Sequence, residues 1–334
     1  KAALMTELVK LRRSKKHRER ALQHAQSRAA VRDEAVAEKT LSAKSDRRGF
    51  LKGLGVASAT AAAAATTGCD DADWDKFFQS HYKEMNDAEK AKVFERIRKE
   101  QKQAYGTDVH LHDPPPLDGV RFAFAISLSR CNGNRRCVTA CQEENNQGGD
   151  PTIAYIKVLE VDAGSLLPEH GDLYFDDDTV PQPGKVYMPV QCNQCDNPPC
   201  TKACPVEATW QEKDGIVVVD YDWCIGCRYC MAACPYEARH FNFTEPKLNP
   251  ATMNTQQGYL SNRPRPKGVV EKCHFCLHRT RNGHYPACLE ACPTGARKFG
   301  NILDESSEVA TVLREKGVSF CCLLALAHGW WPPC

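Results

Sequence analysis

The chain has 334 residues, 42% of them hydrophobic, enough for one substantial domain or two small ones. Its formal charge of +2 hides an asymmetry, because residues 1–48 carry 14 Lys or Arg against 6 Asp or Glu. Everything after them is therefore net acidic, and a nucleic-acid-binding reading of the folded part has little support. Of the 19 cysteines, fifteen are spaced for metal ligation rather than for cross-links, so their number does not report an oxidising compartment.

Lys1 is not an initiator residue, and Met5 is a candidate start. Residues 5–43 are basic, Ala-rich and helix-compatible, with a thin apolar stripe of Leu8, Leu11, Leu22, Val31 and Val36. Segment 1–44 reads as a solvated helix or a disordered extension. Ser45-Asp46-Arg47-Arg48-Gly49-Phe50-Leu51-Lys52 then precedes an uncharged run over 53–68, rich in Ala, Gly and Thr. This order resembles a twin-arginine export signal, the route that moves folded proteins already carrying their cofactors. The leading basic region is longer than usual, and Asp46 stands where Ser or Thr is commoner. The apolar part is too weak and too short for an ordinary spanning helix. Thr66-Thr67-Gly68-Cys69 resembles a lipoprotein processing site. Cys69 is either a lipid-bearing N-terminus held at the membrane surface or a plain linker cysteine, and 45–69 forms one segment on these grounds.

Residues 74–105 read as a helical pair within segment 70–117. Phe77, Phe78, Tyr82 and Met85 line the first helix, and Val93, Phe94 and Ile97 line the second. Asn86 with Glu89 three residues on is a capping-box start, and Gly106 is a stop. Asp113-Pro114-Pro115-Pro116-Leu117 is a stiff linker, and the boundary to a second domain, 118–300, falls there. That domain opens with an alternating strand over 120–128, followed by a second over 153–161 and by Val186-Tyr187-Met188. Residues 208–211 and 216–220, either side of Asp214-Gly215, form a hairpin. Pro246 to Pro266 bound a Pro-rich irregular loop. After Gly300 come a helix over 304–316 and ten apolar residues over 318–327, too few to span a bilayer; 301–334 is a tail of unassigned role, and Cys321, Cys322 and Cys334 are given none.

The chemistry lies in four cysteine runs. In order they are Cys131-x5-Cys137-x3-Cys141, Cys192-x2-Cys195-x4-Cys200-x3-Cys204-Pro205, Cys224-x2-Cys227-x2-Cys230-x3-Cys234-Pro235 and Cys273-x2-Cys276-x11-Cys288-x3-Cys292-Pro293. The third is the bacterial ferredoxin signature, in which three close thiolates hold one cubane and the fourth, before Pro, reaches the other cluster. Zinc ribbons also use paired Cys-x2-Cys units, but zinc has no use for the third and fourth Cys at these spacings. Disulfides fit worse, since x2 neighbours are poor cross-linking partners. Swapping the fourth ligand joins Cys192, Cys195 and Cys200 with Cys234, and Cys224, Cys227 and Cys230 with Cys204. The same swap joins Cys273, Cys276 and Cys288 with Cys141, and leaves Cys131 and Cys137 with Cys292. Aligning the first run on the third puts Asn134 where a Cys should stand. An amide binds iron far more weakly than a thiolate, so this site is expected to hold 3Fe-4S, failing that an atypical 4Fe-4S cluster, and failing that none, beside three ordinary 4Fe-4S clusters. Short helices should carry each Cys-x3-Cys end, stopped by the following Pro.

Residues 119–300 resemble the four-cluster iron-sulfur subunit of membrane-associated molybdopterin oxidoreductases, the polysulfide, tetrathionate and dimethyl sulfoxide reductase type. The phrases that carry this are Pro189-Val190-Gln191-Cys192-Asn193-Gln194-Cys195-Asp196-Asn197-Pro198-Pro199-Cys200, Gly268-Val269-Val270-Glu271-Lys272-Cys273-His274-Phe275-Cys276 and Pro286-Ala287-Cys288-Leu289-Glu290-Ala291-Cys292-Pro293-Thr294-Gly295-Ala296-Arg297. The resemblance implies an α+β fold of tandem bacterial-ferredoxin-like dicluster modules, with short strands, short helices and long loops behind a helical N-terminal extension. It further implies single-electron transfer between a catalytic molybdopterin-type subunit and an integral membrane quinone-interacting subunit, and the twin-arginine-like stretch would put that assembly on the periplasmic face. The outer cluster pair, with Asn134, would lie toward the catalytic subunit, and the 246–266 loop would contact neighbouring subunits.

The same wire could serve a hydrogenase or a multihaem cytochrome, and a redox-sensing iron-sulfur protein is the remaining alternative. Four centres in a row favour a wire, because a sensor needs one. No nucleophile-base pair, phosphate loop or dinucleotide fingerprint is present, so the chain has no catalytic site of its own. His274, His278 and His284 are read as surface residues or as supports of the neighbouring ligands.

Overall fold

The computed structural model describes residues 79–149, 151–164 and 167–316. The basic extension, the twin-arginine-like stretch, Cys69, Phe77, Phe78 and the apolar tail lie outside the described residues. All that is described belongs to the second of the two units into which the chain divides, which begins at Lys76.

Helix α1 (Asp87–Tyr105) starts where its capping chemistry dictates. Asn86 Oδ1 accepts from Glu89 N at 3.0 Å, Asn86 N donates to Glu89 Oε2 at 2.8 Å, and Gly106 ends the helix at φ 68°. The first helix of the expected pair is, in its described part, a single 3-10 turn over Tyr82–Glu84. The reason is local: Asn86 must be extended (φ −78°, ψ 169°) to cap α1, so a helix cannot run through it. Tyr82 stacks on Tyr259 with ring centroids 4.3 Å apart, and Arg96 pairs with Asp222 at 3.1 Å. Strand β1 (His110–His112) pairs in parallel with β8 (Gln256–Gly258). Arg281 Nη1 donates to Pro114 O at 2.9 Å. The Pro-rich stretch after α1 is thus stitched to distant residues on both sides.

The remaining elements are β2 (Phe122–Ile126), α2 (Arg136–Glu144), β3 (Lys157–Asp162), β4 (Lys185–Val190), α3 (Pro199–Lys202), β5 (Thr209–Gln211), β6 (Val217–Val219), α4 (Tyr229–Ala232), β7 (Arg239–Phe241), β9 (Val270–Lys272), α5 (Leu277–Thr280), α6 (Ala287–Glu290), β10 (Arg297–Asn301) and α7 (Glu308–Lys316). Among the described residues every sheet has two strands. The antiparallel pairs are β3 with β4, β5 with β6, β7 with β9, and β10 with β2. Mixed helix and short strand, this is the architecture of small ferredoxin-like modules. The last pairing brings Phe124 and Phe299 together beside Phe275, with centroids 4.8 to 5.4 Å apart. Such aromatic pairs add about 0.5–1.5 kcal/mol each beyond the area they bury. Helix α7 begins four residues later than the sequence suggests, because Ser307 Oγ accepts from Ala310 N at 3.2 Å and caps it there.

One unit recurs three times. A four-residue helix carries a Cys, the last Cys of the run follows it, and then come Pro, a left-handed residue two positions after that Pro, a buried Ala and a strand. The left-handed residues are Glu207, Glu237 and Gly295, at φ 53°, 49° and 63°. The strands start at Thr209, Arg239 and Arg297. Pro205, Pro235 and Pro293 lack the N–H and fix the preceding geometry, so these helices cannot extend. Gln142 follows Cys141 instead, and α2 continues to Glu144, which leaves Cys141 inside a nine-residue helix.

The irregular 246–266 insert is exposed or half-exposed up to Gln256, apart from Met253, and turns inward over 257–265. Gln257, Tyr259, Ser261 and Asn262 have no exposed surface at all. Asn146 Nδ2 donates to Asn254 O and Asn262 O at 2.9 Å, and Asn262 Nδ2 donates to Glu144 O at 3.1 Å. Side-chain amides here satisfy main chain that no long ladder could, which is what allows an irregular segment into the interior.

Candidate cluster sites

The fifteen cysteines of the four runs are free thiols, buried or half-buried. Cys204, Cys224, Cys227 and Cys230 line an open space of about 330 Å³, and Cys192, Cys195, Cys200 and Cys234 line another of about 350 Å³. A third, of about 330 Å³, is lined by Cys131, Cys137, Cys292 and Asn134. Cys141, Cys273, Cys276 and Cys288 form the fourth group, all buried. Asn145 Nδ2 bridges it, 3.5 Å from Cys141 Sγ and 3.7 Å from Cys276 Sγ, and Gln147 Nε2 donates to Cys141 Sγ at 3.2 Å.

Crowding four thiols out of water opposes their ionisation. Burial and the neighbours Cys192, Cys200 and Cys234 push Cys195 up to about 12. Burial, Cys192 and Cys288 do the same to Cys273, also to about 12. Cys141 is driven well above its ordinary range by burial and by Cys276, Cys288 and Cys273. A sulfur ligates metal as thiolate, so such a group is stable in its binding form only around a bound cationic core. Among the described residues no three His, Cys, Asp or Glu side chains converge closely enough to hold a single metal ion. Eleven of the thiols line three spaces rather than points, a geometry that fits the corners of a cluster.

The 4Fe-4S dicluster domain family matches residues 184–258 and 259–302. A Halobacterium salinarum protein described as a dimethyl sulfoxide reductase iron-sulfur subunit is 41% identical over 208 residues, covering 59% of this chain and 72% of its own length. The iron-sulfur cluster-binding subunit of menaquinone reductase from Nitratidesulfovibrio vulgaris is 36% identical over 59% of this chain and 82% of its own. A tetrathionate reductase subunit from Salmonella typhimurium is 37% identical over 58% and 64%. The chain belongs to the iron-sulfur subunit family of the molybdopterin oxidoreductases. Like the other members, this iron-sulfur subunit transfers electrons and binds 4Fe-4S clusters. Among the described residues no helix is long and apolar enough to cross a membrane.

Asn134 sits in the subunit's first cysteine loop. That loop carries left-handed residues at Gly133 (φ 81°) and Arg135 (φ 50°), as the third carries them at Gly226 (φ 69°) and Arg228 (φ 65°). Backbone conformation therefore equates Asn134 with Cys227. Both ends of the Asn134 amide are engaged locally, Oδ1 by Arg136 N at 3.0 Å and Nδ2 by Asn132 Oδ1 at 2.6 Å. His278 is buried and lies 2.8 Å from Glu144 Oε1. His274 is 2% exposed with neither ring nitrogen partnered. Of the three histidines only His284 is a surface residue.

Sequence reasoning passed over three buried cations beside the thiols. Arg239 Nη2 lies 3.0 Å from Cys200 Sγ and 2.9 Å from Thr209 Oγ1. Arg297 lies 3.6 Å from Cys137 Sγ through Nη2 and 3.8 Å from Cys288 Sγ through Nη1. Lys272 Nζ donates to Cys273 O at 2.7 Å, to Gln194 Oε1 at 3.4 Å and to Val217 O. A signal for the arginines was present: each stands five residues after the Cys of a Cys-Pro.

Proposed function

We propose that the chain passes single electrons along four iron-sulfur clusters, between a catalytic molybdopterin-type subunit and a membrane quinone-reactive partner. Cys192, Cys195, Cys200 and Cys234 hold one 4Fe-4S cluster, Cys204, Cys224, Cys227 and Cys230 a second, and Cys141, Cys273, Cys276 and Cys288 a third. Cys131, Cys137 and Cys292 hold a 3Fe-4S cluster, with Asn134 at the vacant ligand position. The observation that carries this reading is the gathering of fifteen thiols into four groups, three of them lining an open space and the fourth packed together in the interior. Asn134 supports the 3Fe-4S assignment, because an amide whose oxygen already accepts from Arg136 N has little left for iron.

When bound, the clusters supply reversible one-electron chemistry, within the roughly −700 to +450 mV spanned by iron-sulfur proteins. The chain's part is to hold each thiolate set, to keep water out and to place donors on sulfur. Asn145 and Gln147 do the last for Cys141, and hydrogen bonds to sulfur favour the more reduced, more negative state. The catalytic and quinone partners rest on similarity to subunits of dimethyl sulfoxide, tetrathionate and menaquinone reductases. The periplasmic face rests on the twin-arginine-like stretch alone.

Electron paramagnetic resonance on anaerobically isolated complex tests the reading. The expected spectra are one 3Fe-4S signal when oxidised and three interacting 4Fe-4S centres on stepwise reduction. Zinc in the elemental analysis without cluster signals would overturn it.

A further inference from the structure

Among the described residues neither Arg239, Arg297 nor Lys272 pairs with a carboxylate, although none is more than 3% exposed. A buried cation left unpaired is strongly destabilising, and a guanidinium cannot shed its proton, so an anion must compensate each arginine. Arg239 also has two donors, Nε and Nη1, that find no protein partner. Among the described residues the groups beside these cations that can carry negative charge are the cysteine sets.

Their positions follow a rule. Arg297 touches Cys137 of the Asn134 group and Cys288 of the Cys273 group. Lys272 joins the main chain of Cys273 to Gln194, which lies between Cys192 and Cys195. Arg239 touches Cys200 and lines both the Cys192 space and the Cys204 space. The four groups thus stand in a row, in the order Asn134 group, Cys273 group, Cys192 group, Cys204 group, with one buried cation at each junction. Pseudo-symmetry places the two arginines, since β7 and β10 both begin at the residue that follows the buried Ala of the recurring unit. Thr209, at the same position of a third copy, instead accepts from Arg239, so that pair of groups has one guanidinium rather than two.

We propose that Arg297, Lys272 and Arg239 are interposed cations, each setting the potentials of the two clusters on either side of it together. The inference rests on the four-cluster reading above. Coulomb energy falls as 1/r and is barely screened inside protein. A charge at a junction therefore stabilises the added electron most on the two flanking clusters and less on the far pair.

The test is a redox titration, followed by electron paramagnetic resonance, of the complex carrying the full chain as wild type, Arg239→Gln, Arg239→Lys and Arg297→Gln. Each Gln variant is expected to lower the reduction equilibrium of two clusters about tenfold, about 59 mV for one electron. The pair moved by Arg239→Gln shares no member with the pair moved by Arg297→Gln, and Arg239→Lys, which keeps the charge, holds wild-type potentials. Intact clusters with unmoved potentials, a shift of one cluster alone, or an equal shift of all four would overturn the proposal. Should Arg239→Gln fail to assemble clusters, Arg239→Lys decides: assembly at wild-type potentials supports a role for charge, and failure there too overturns it. A wild-type sample without four centres would instead defeat the four-cluster reading itself.

Discussion

The loops over Cys131–Cys137 and Cys224–Cys230 share left-handed backbone at the same two positions and differ at one proposed ligand, Asn134 against Cys227. Both place a left-handed Gly and a left-handed Arg around the second ligand position, and both lead into a helix that carries the next Cys. Yet Cys227 lines its space as a thiol, while Asn134 is tied into its own turn. The surroundings differ as well. Ile225 and Tyr229 of the third loop are 64% and 63% exposed, whereas the first is covered by the segment around Phe175. The side chain at this position and its solvent cover therefore differ on a similar turn, which on the proposed assignment separates the geometry of a cluster site from its chemistry.

Exchanging the two ligands is the strongest way to break the comparison. Cys227→Asn should release a corner iron, so that the oxidised protein shows two 3Fe-4S signals by spin count where the wild type shows one. Asn134→Cys should do the reverse, abolishing the oxidised signal and lowering that centre's potential, because an added anionic ligand opposes reduction. Unchanged cluster types in both variants would sink the equivalence of the two positions.

A smaller effect separates the glycines. A Cβ on Gly226 would stand 2.0 Å from Gly268 O, a main-chain atom, while a Cβ on Gly133 would meet the Tyr187 ring at 2.5 Å. Both positions have positive φ, where Ala costs roughly 1–2 kcal/mol. Only at Gly226 must backbone also move. Gly226→Ala is expected to lose cluster iron and to unfold at lower temperature than Gly133→Ala; equal iron content and equal Tm would refute the difference.

Much of this was legible in sequence, and the rest was hidden for identifiable reasons. The expected hairpin over 208–220 appears as β5 and β6, and the expected strand over 120–128 as β2, trimmed at its ends. Alternating apolar residues and a Gly turn report such elements directly. Strands β1, β8 and β9 are no shorter than β5 and β6, but no tight turn joins them to their partners, so nothing local marks them. The interior course of 257–265 rests on Asn146 and Glu144, more than 100 residues earlier in the chain. No local pattern encodes a bond of that reach. Arg239 and Arg297 lay in plain view at a fixed offset, but a cation reads as surface until something shows that its partner is a thiol.

The last difference between the loops concerns the arginines that follow the second ligand position. Arg135 binds the covering segment, donating to Leu173 O at 2.5 Å and Phe175 O at 3.3 Å, pairing with Asp177 at 2.6 Å and lying 3.9 Å over the Phe175 ring. Among the described residues the Arg228 side chain lies over Phe241 alone, at 5.1 Å. Arg135 is partly exposed, so solvent weakens its ion pair, and the net worth of the contacts is about 1 kcal/mol. Arg135→Ala should therefore raise hydrogen exchange of the 172–179 amides about fivefold, with cluster signals unchanged. Ala tolerates the left-handed φ no better than Arg, so backbone strain does not confuse the result. Arg228→Ala should leave exchange in 172–179 alone. A cluster signal altered by Arg135→Ala would show that the cover and the ligand turn are one unit, and the separation of geometry from chemistry would then fail at this loop.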